Sequence, residues 1–192
     1  MSHGDGPECF SLDKDCEVPV PMGIELLIRV HACSIGDVDW HIWQGCSVAS
    51  QLVCLPAVCG FEIAGVVAAV GPLVDPKMFN VGDEIVCLAS LDCRLGGHAQ
   101  YSVQPAPSCC RKPSGVPFGS AAAVLAVGVR AYTALHYCSR CVAGDTVLVL
   151  DGGHAAGSIA MQLAVLIGAR VITTASSSEE AGQIRAMLQS LK

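Results

Sequence analysis

This chain has little charge of either sign, few aromatic residues and no long apolar run, and each shortage removes a class of function. Lysine and arginine number 11 against 17 acidic residues, a formal charge of −6. No basic run or aromatic-interleaved basic patch offers a footprint for a phosphate backbone, so nucleic acid is not the expected partner. Aromatics make up 5% and charged residues 15%, while 52% is apolar; such a composition excludes a disordered chain and suits a packed α/β or all-β protein. No uninterrupted apolar stretch reaches the roughly 18 residues that mark a membrane-spanning helix. Ala121 to Val129 is stopped by Arg130, and Ile159 to Ile167 is bracketed by Gly157 and Gly168. Asp5, Glu8, Asp13 and Asp15 also make the start unlike the basic-then-apolar opening of a secretory signal. The expectation is a cytoplasmic protein with no membrane partner.

What the chain does have in quantity is cysteine, 12 in all. Their spacing points neither to a disulfide framework nor to a zinc site. Cys138 and Cys141 form the only CxxC, with no second pair at zinc-ribbon distance. Cys9, Cys16, Cys46, Cys54, Cys59, Cys87, Cys93, Cys109 and Cys110 are scattered, and in a reducing compartment such thiols act as small hydrophobic residues. A chain of 192 residues is long enough for one large domain or two small ones.

Two regions of different character follow. Up to about Arg111, short β-rich runs (Ile24 to Val30, Gly65 to Val70, Ile85 to Leu88, Ala99 to Val103) are separated by Gly and Pro, which predicts a barrel-like or sandwich-like β domain. At Lys112-Pro113-Ser114-Gly115 the pattern changes: Ser120 to Val127 and Val129 to Tyr137 have helical content. This places a domain boundary near Pro113, giving residues 1–113 and 114–192. Thr146 to Leu150 is then a continuous apolar run of strand length, as expected for a strand buried on both faces. The turn Asp151 to Gly157 leads into a helix striped by Ile159, Leu163, Leu166 and Ile167 and closed by Gly168, and Arg170 to Thr174 reads as the next parallel strand. Together these make one βαβ unit. Ser176 to Ser178 followed by Glu179 and Glu180 reads as a cap with an acidic first turn, so a further helix should run toward Leu191. Only two strands of a doubly wound sheet are visible, so the second domain reads as incomplete.

A helix N-terminus preceded by glycines suits a pyrophosphate, because unpaired N–H groups and the helix dipole both face the anion. Gly152, Gly153 and Gly157 are present, with His154 and Ala155 where a GxGxxG pattern has glycine. A tight strand-to-helix crossover with no ligand is the alternative. His154 could donate to a phosphate oxygen or simply face solvent. After the second strand stand Ser176 and Ser177, with no carboxylate where a ribose 2′-hydroxyl is held, which favours NADPH over NADH. The nearest basic residue is Arg185.

Several ordered segments resemble the zinc-free quinone oxidoreductase branch of the medium-chain dehydrogenase/reductase superfamily, and within it the quinone oxidoreductase-like (zeta-crystallin-like) proteins. They are Val30-His31-Ala32-Cys33-Ser34-Ile35, Gly60 to Val67 leading to Val70-Gly71, Gly82-Asp83-Glu84-Ile85-Val86, Gly128 to Tyr137, and the βαβ unit. The resemblance implies an α/β protein: a GroES-like β-barrel domain, then an incomplete Rossmann-type domain, with a nicotinamide cofactor between them. It also implies hydride transfer from NADPH to a quinone or α,β-unsaturated carbonyl. Zinc-containing relatives carry cysteine where this chain has Gly36 and histidine where it has Phe61, so no catalytic zinc is expected there. Their four-cysteine structural loop has no counterpart in Leu88 to His98, which holds only Cys93.

Active quinone reductases commonly have asparagine at the place of Gly36 and threonine at that of Arg130. Arg130 either holds a phosphate oxygen or is a solvated residue. The resemblance also puts Asp39 at an acidic position of the family and Tyr132 in the helix flanking the cleft, and either could be structural. The cofactor-binding residues expected on this reading are Arg130, Gly152, Gly153, His154, Ala155, Gly157, Ser176 and Ser177. A homodimer is compatible with it. Two other functions stay open: a catalytically inactive cofactor-binding or regulatory remnant of the fold, and an enoyl-reductase module of a larger synthase.

Overall fold

A computed structural model of the chain describes residues 10–45, 51, 53, 56–90 and 96–191. Cys9, Cys46, Cys54 and Cys93 lie outside the described residues, Cys93 with residues 91–95 in the middle of the Leu88 to His98 loop. The chain divides into two compact units, one running to Leu125 and the other beginning at Ala126.

The first unit is built on five antiparallel strands: β1 (Glu25–Cys33), β2 (Glu62–Val70), β3 (Glu84–Leu88), β4 (Tyr101–Pro105) and β5 (Cys109–Arg111), in the order β4-β1-β2-β3-β5. The edge strands β4 and β5 are consecutive in sequence, joined only by the 3₁₀ turn Ala106–Ser108. Four strand spacings in a flat sheet would separate those edges by roughly 19 Å. The connection can reach at most about 14 Å. The sheet therefore curls round on itself as the barrel reading requires, and the register shifts of β1 against β2, between Leu27 and Ile28 and between Val30 and Ala32, supply the local bending.

Alternation places Leu26 and Ile28, Ile63 and Val67, and Ile85 and Cys87 in one core with Phe79 and Ala106. On the opposite face Ala64 and Val86 meet Ala121 and Ala122 of α2 (Phe118–Tyr132). Gly65 is required in β2, because a Cβ there would overlap the Arg29 carbonyl and come within 2.8 Å of Ile28 Cγ2. A short helix the sequence reading did not include, α1 (Asp37–Gln44), buries Ile42 against Val53 and Phe61.

The helical region after Pro113 is continuous through Gly128, which the sequence reading treated as a break. α2 passes directly into a π-turn at Thr133–Cys138, and together they form a 21-residue helical run, Phe118–Cys138. By length and composition alone this run could cross a membrane, with Arg130 still interrupting its apolar sequence. Its first turns are instead part of the β unit's core through Ala121 and Ala122.

In the second unit, β6 (Thr146–Val149) and β7 (Arg170–Thr173) pair in parallel, linked by α3 (Ala155–Ile167), and α4 (Ser178–Gln189) follows. Gly168, in the left-handed region at φ 92°, closes α3 as its sequence position implied. The βαβ unit is thus present in the expected order.

Candidate functional site

The expected cofactor residues fall in the second unit, and the turn between β6 and α3 is their centre. Asp151 adopts φ 57°, a left-handed conformation rare outside glycine, and its amide donates to Thr174 Oγ1 at 2.8 Å. The Gly152 amide donates to the Thr174 carbonyl at 3.1 Å. These two bonds tie the turn to the end of β7. The glycines are sterically required: a Cβ on Gly152 would overlap Thr173 Oγ1 and sit 2.8 Å from Met161 Sδ, and one on Gly157 would overlap the Asp151 carbonyl and come 3.1 Å from Gly152 Cα. The first case is packing of helix on strand, the second a close return of backbone on itself.

His154 is the N-cap of α3 with extended backbone and gives no side-chain cap. The first-turn amides, Ala155 and Gly157 among them, are thus left to whatever lies in front of the helix, the arrangement an anion needs.

Gly153 differs from its neighbours. A Cβ there would overlap the carboxylate of Glu180, which reaches back from the first turn of α4. Ser176 holds that carboxylate: its amide and its hydroxyl both donate to Glu180 Oε2, the hydroxyl at 2.7 Å. Ser177 caps α4 by accepting the Glu180 amide at 3.1 Å. The Ser176 bonds hold the Glu180 carboxyl below the usual carboxylate range. Ser176, Ser177 and the glycine turn are therefore brought together, with Glu180 between them. Sequence reasoning assigned Glu180 only to the helix dipole. The serine three residues ahead of a glutamate signalled a reciprocal cap, but not that the carboxylate would go to Ser176 and so to Gly153. Arg130 lies on α2, exposed in its last turn, and the bonds joining the turn to residues 174–180 do not involve it.

A second polar cluster lies in the β unit. Asp39 is buried at 1% exposure and accepts the amides of Gly36 and Gly60, each at 2.9 Å. It is a backbone clamp at the start of α1. Ser34 Oγ donates to Glu62 Oε2 alongside. A Cβ on Gly36 would stand 3.5 Å from Glu62 Oε2 and 4.0 Å from Asp39 Oδ2, an ordinary contact, so a side chain fits there although the chain has none. Burial, then the charge of Asp39, pushes the Cys33 thiol up to about 12. It stays protonated at neutral pH. Among the described residues no group of three or more His, Cys, Asp or Glu side chains could hold a metal ion. Tyr132 is about half exposed and stacks on His136 at 5.0 Å between ring centroids.

A curled antiparallel β unit followed by a βαβ unit with a glycine turn is the plan of the medium-chain dehydrogenases and reductases. Residues 23–135 match the sequence model of the alcohol dehydrogenase GroES-like domain. The chain is 32% identical over 174 residues to a quinone oxidoreductase of Pongo abelii, covering 91% of this chain and 51% of that protein. A mycobacterial quinone oxidoreductase structure superposes with a TM-score of 0.85 at 32% identity, covering 97% of this chain and 55% of that one. A mycobacterial structure complexed with NADPH superposes with a TM-score of 0.77 at 33% identity, over 90% of this chain and 51% of that one. The chain belongs to the alcohol dehydrogenase GroES-like family, within the medium-chain dehydrogenase/reductase superfamily. It spans about half the length of the curated relatives it matches.

Proposed function

We propose that the chain is the nucleotide-dependent, zinc-independent part of an oxidoreductase acting on quinones or α,β-unsaturated carbonyls. The observation that carries the reading is the glycine turn: Gly152 and Gly157 leave no room for a side chain at the start of a helix whose cap gives no side-chain bond. Gly152, Gly153, His154, Ala155 and Gly157 would hold the pyrophosphate through backbone amides, with Arg130 as a further phosphate ligand and Ser176 and Ser177 on the ribose side. When bound, the dinucleotide supplies the hydride. The protein's share is to orient it and to keep the β unit's polar cluster rigid through the Asp39 clamp. In this division residues 1–113 serve the substrate and 114–192 the nucleotide.

NADPH is the form that the serines after β7 favoured, and it is the ligand of one mycobacterial neighbour. Glu180 bears on that choice and is taken up below. Zinc independence is supported by Gly36 and Phe61, neither of which offers a lone pair. The eight cysteines among the described residues are free thiols, in keeping with a reducing cytoplasmic setting.

Titration with NADH and NADPH, followed by cofactor fluorescence, and absorbance loss on adding a benzoquinone test the reading. Saturable binding with quinone-dependent oxidation is expected. No response at about millimolar cofactor, a binding free energy near −4 kcal/mol, would end it. A second reading, a nucleotide-binding protein without turnover, is favoured by Gly36, which leaves the space beside Glu62 and Asp39 unfilled. Binding without oxidation would select it.

A further inference from the structure

We propose that Glu180 sets nucleotide selectivity at the glycine turn, occupying the Ser176 donors that a 2′-phosphate would need and so disfavouring NADPH relative to NADH. The inference rests on the reading of that turn as a dinucleotide site.

Its position carries the argument. In a βαβ nucleotide fold the segment after the second strand faces the adenosine ribose. Here that segment presents two anion donors, the amide and the hydroxyl of Ser176, and both are directed at one carboxylate oxygen of Glu180. The other oxygen, Oε1, lies where a Cβ on Gly153 would be. One side chain thus bridges the strand end and the turn, two places that a nucleotide would also contact. A neutral ribose 2′-hydroxyl can donate to such a carboxylate. A 2′-phosphate is mostly dianionic at neutral pH and a poor donor: it competes for the same two donors and meets a like charge.

Among the described residues the bonds that hold the Glu180 carboxylate come from Ser176, and no ion pair joins it to a basic side chain. No lysine or arginine stands between Arg170 and Arg185. The ion pairs among the described residues, Arg111 with Asp83 and Lys112 with Glu84, belong to the β unit. The hydrogen bonds from Ser176 favour the ionised form, so the charge is present throughout the neutral range. An open serine pair on sequence grounds argued for NADPH. An occupied pair argues the other way.

The test uses nucleotide halves, so that it does not depend on turnover. 2′,5′-ADP and 5′-ADP are titrated into the chain and into Glu180→Gln, with binding read from the amide resonances of Gly153 and Ser176. Glu179→Gln, a neighbouring carboxylate outside the bridge, is the control, and unfolding midpoints confirm that all three are folded. Glutamine keeps the acceptor oxygen for Ser176 and removes the charge. Glu180→Gln should bind 2′,5′-ADP about tenfold tighter or more. Its affinity for 5′-ADP should stay within about threefold, and Glu179→Gln should change neither.

Unchanged 2′,5′-ADP affinity in Glu180→Gln, or equal shifts for both nucleotides, would overturn the proposal. Failure of both nucleotides to bind any of the three proteins would overturn it together with the dinucleotide reading. The expected discrimination without quinone-dependent cofactor oxidation would uphold Glu180 and remove only the catalytic reading.

Discussion

Asp39 shows what one residue can conceal from sequence reading. Its family position marked it out, but only the structure shows its two carboxylate oxygens each accepting a backbone amide, from Gly36 and Gly60. A bond to a residue 21 positions away has no local signature. Replacing Asp39 with alanine strips two amides of their partners, at about 1–3 kcal/mol for each donor left unsatisfied. Chemical denaturation of Asp39→Ala should therefore show a loss of about 2–6 kcal/mol, and Asp39→Asn a smaller one, because the amide still accepts one of the two bonds. Glu180 is the same lesson in the other unit. The cap around Ser177 was legible, since serine before an acidic turn is a local pattern. The choice of Ser176 over Ser177 by the carboxylate depends on how β7 delivers the chain beside Gly153, and that depends on tertiary structure.

Among elements, β6, β7 and the longer barrel strands were legible because their β-branched and apolar runs are bounded by turn residues. β5, three residues of Cys-Cys-Arg, carries no such run, and α1 hides in a segment whose only fully buried apolar side chain is Ile42. In the step from β5 to α2 the sequence shows only a change to helical content, which places a domain boundary near Pro113. That step is held firmly at its start: the Lys112 side chain, 4% exposed, pairs with Glu84 at 2.9 Å. The same ammonium donates to the carbonyls of Pro113 at 3.0 Å and Val116 at 2.6 Å and lies 5.1 Å from the Phe118 ring centroid. Lysine there organises the entry to α2, where composition suggested only a change of domain. Lys112→Met keeps the stem and removes four polar interactions, one of them with Glu84, which water can hydrate in its place. A loss of about 1–3 kcal/mol is expected from thermal unfolding, with Lys112→Arg recovering part of it.

For the whole molecule, the order of β unit and βαβ unit was legible, and so was the family. The sequence reading expected β6 to be buried on both faces, as its apolar run implies. In this chain Leu148 is 62% exposed and Leu150 just after it 68%. Leu166 of α3 is 69% exposed and Ile172 of β7 47%. Two parallel strands with one crossover helix cannot cover both faces, however well each strand suits burial. The chain alone should therefore self-associate. Light scattering after gel filtration is expected to give a mass above the monomer that rises with concentration, and a concentration-independent monomer would contradict it.

The consecutive edge strands β4 and β5 also govern when the β unit can form. Arg29 pairs with Tyr101, and Ile85 with Arg111. On the ribosome, the hairpin-like pairing of β1 with β2 becomes available early, but the first strand keeps an unsatisfied edge until residue 105 has emerged, and the third until residue 111. The nascent β unit thus spends the synthesis of β2, β3 and the segment after them with an open strand, a topology of high contact order and slow closure. The short link between β4 and β5 then lets both edges close in quick succession.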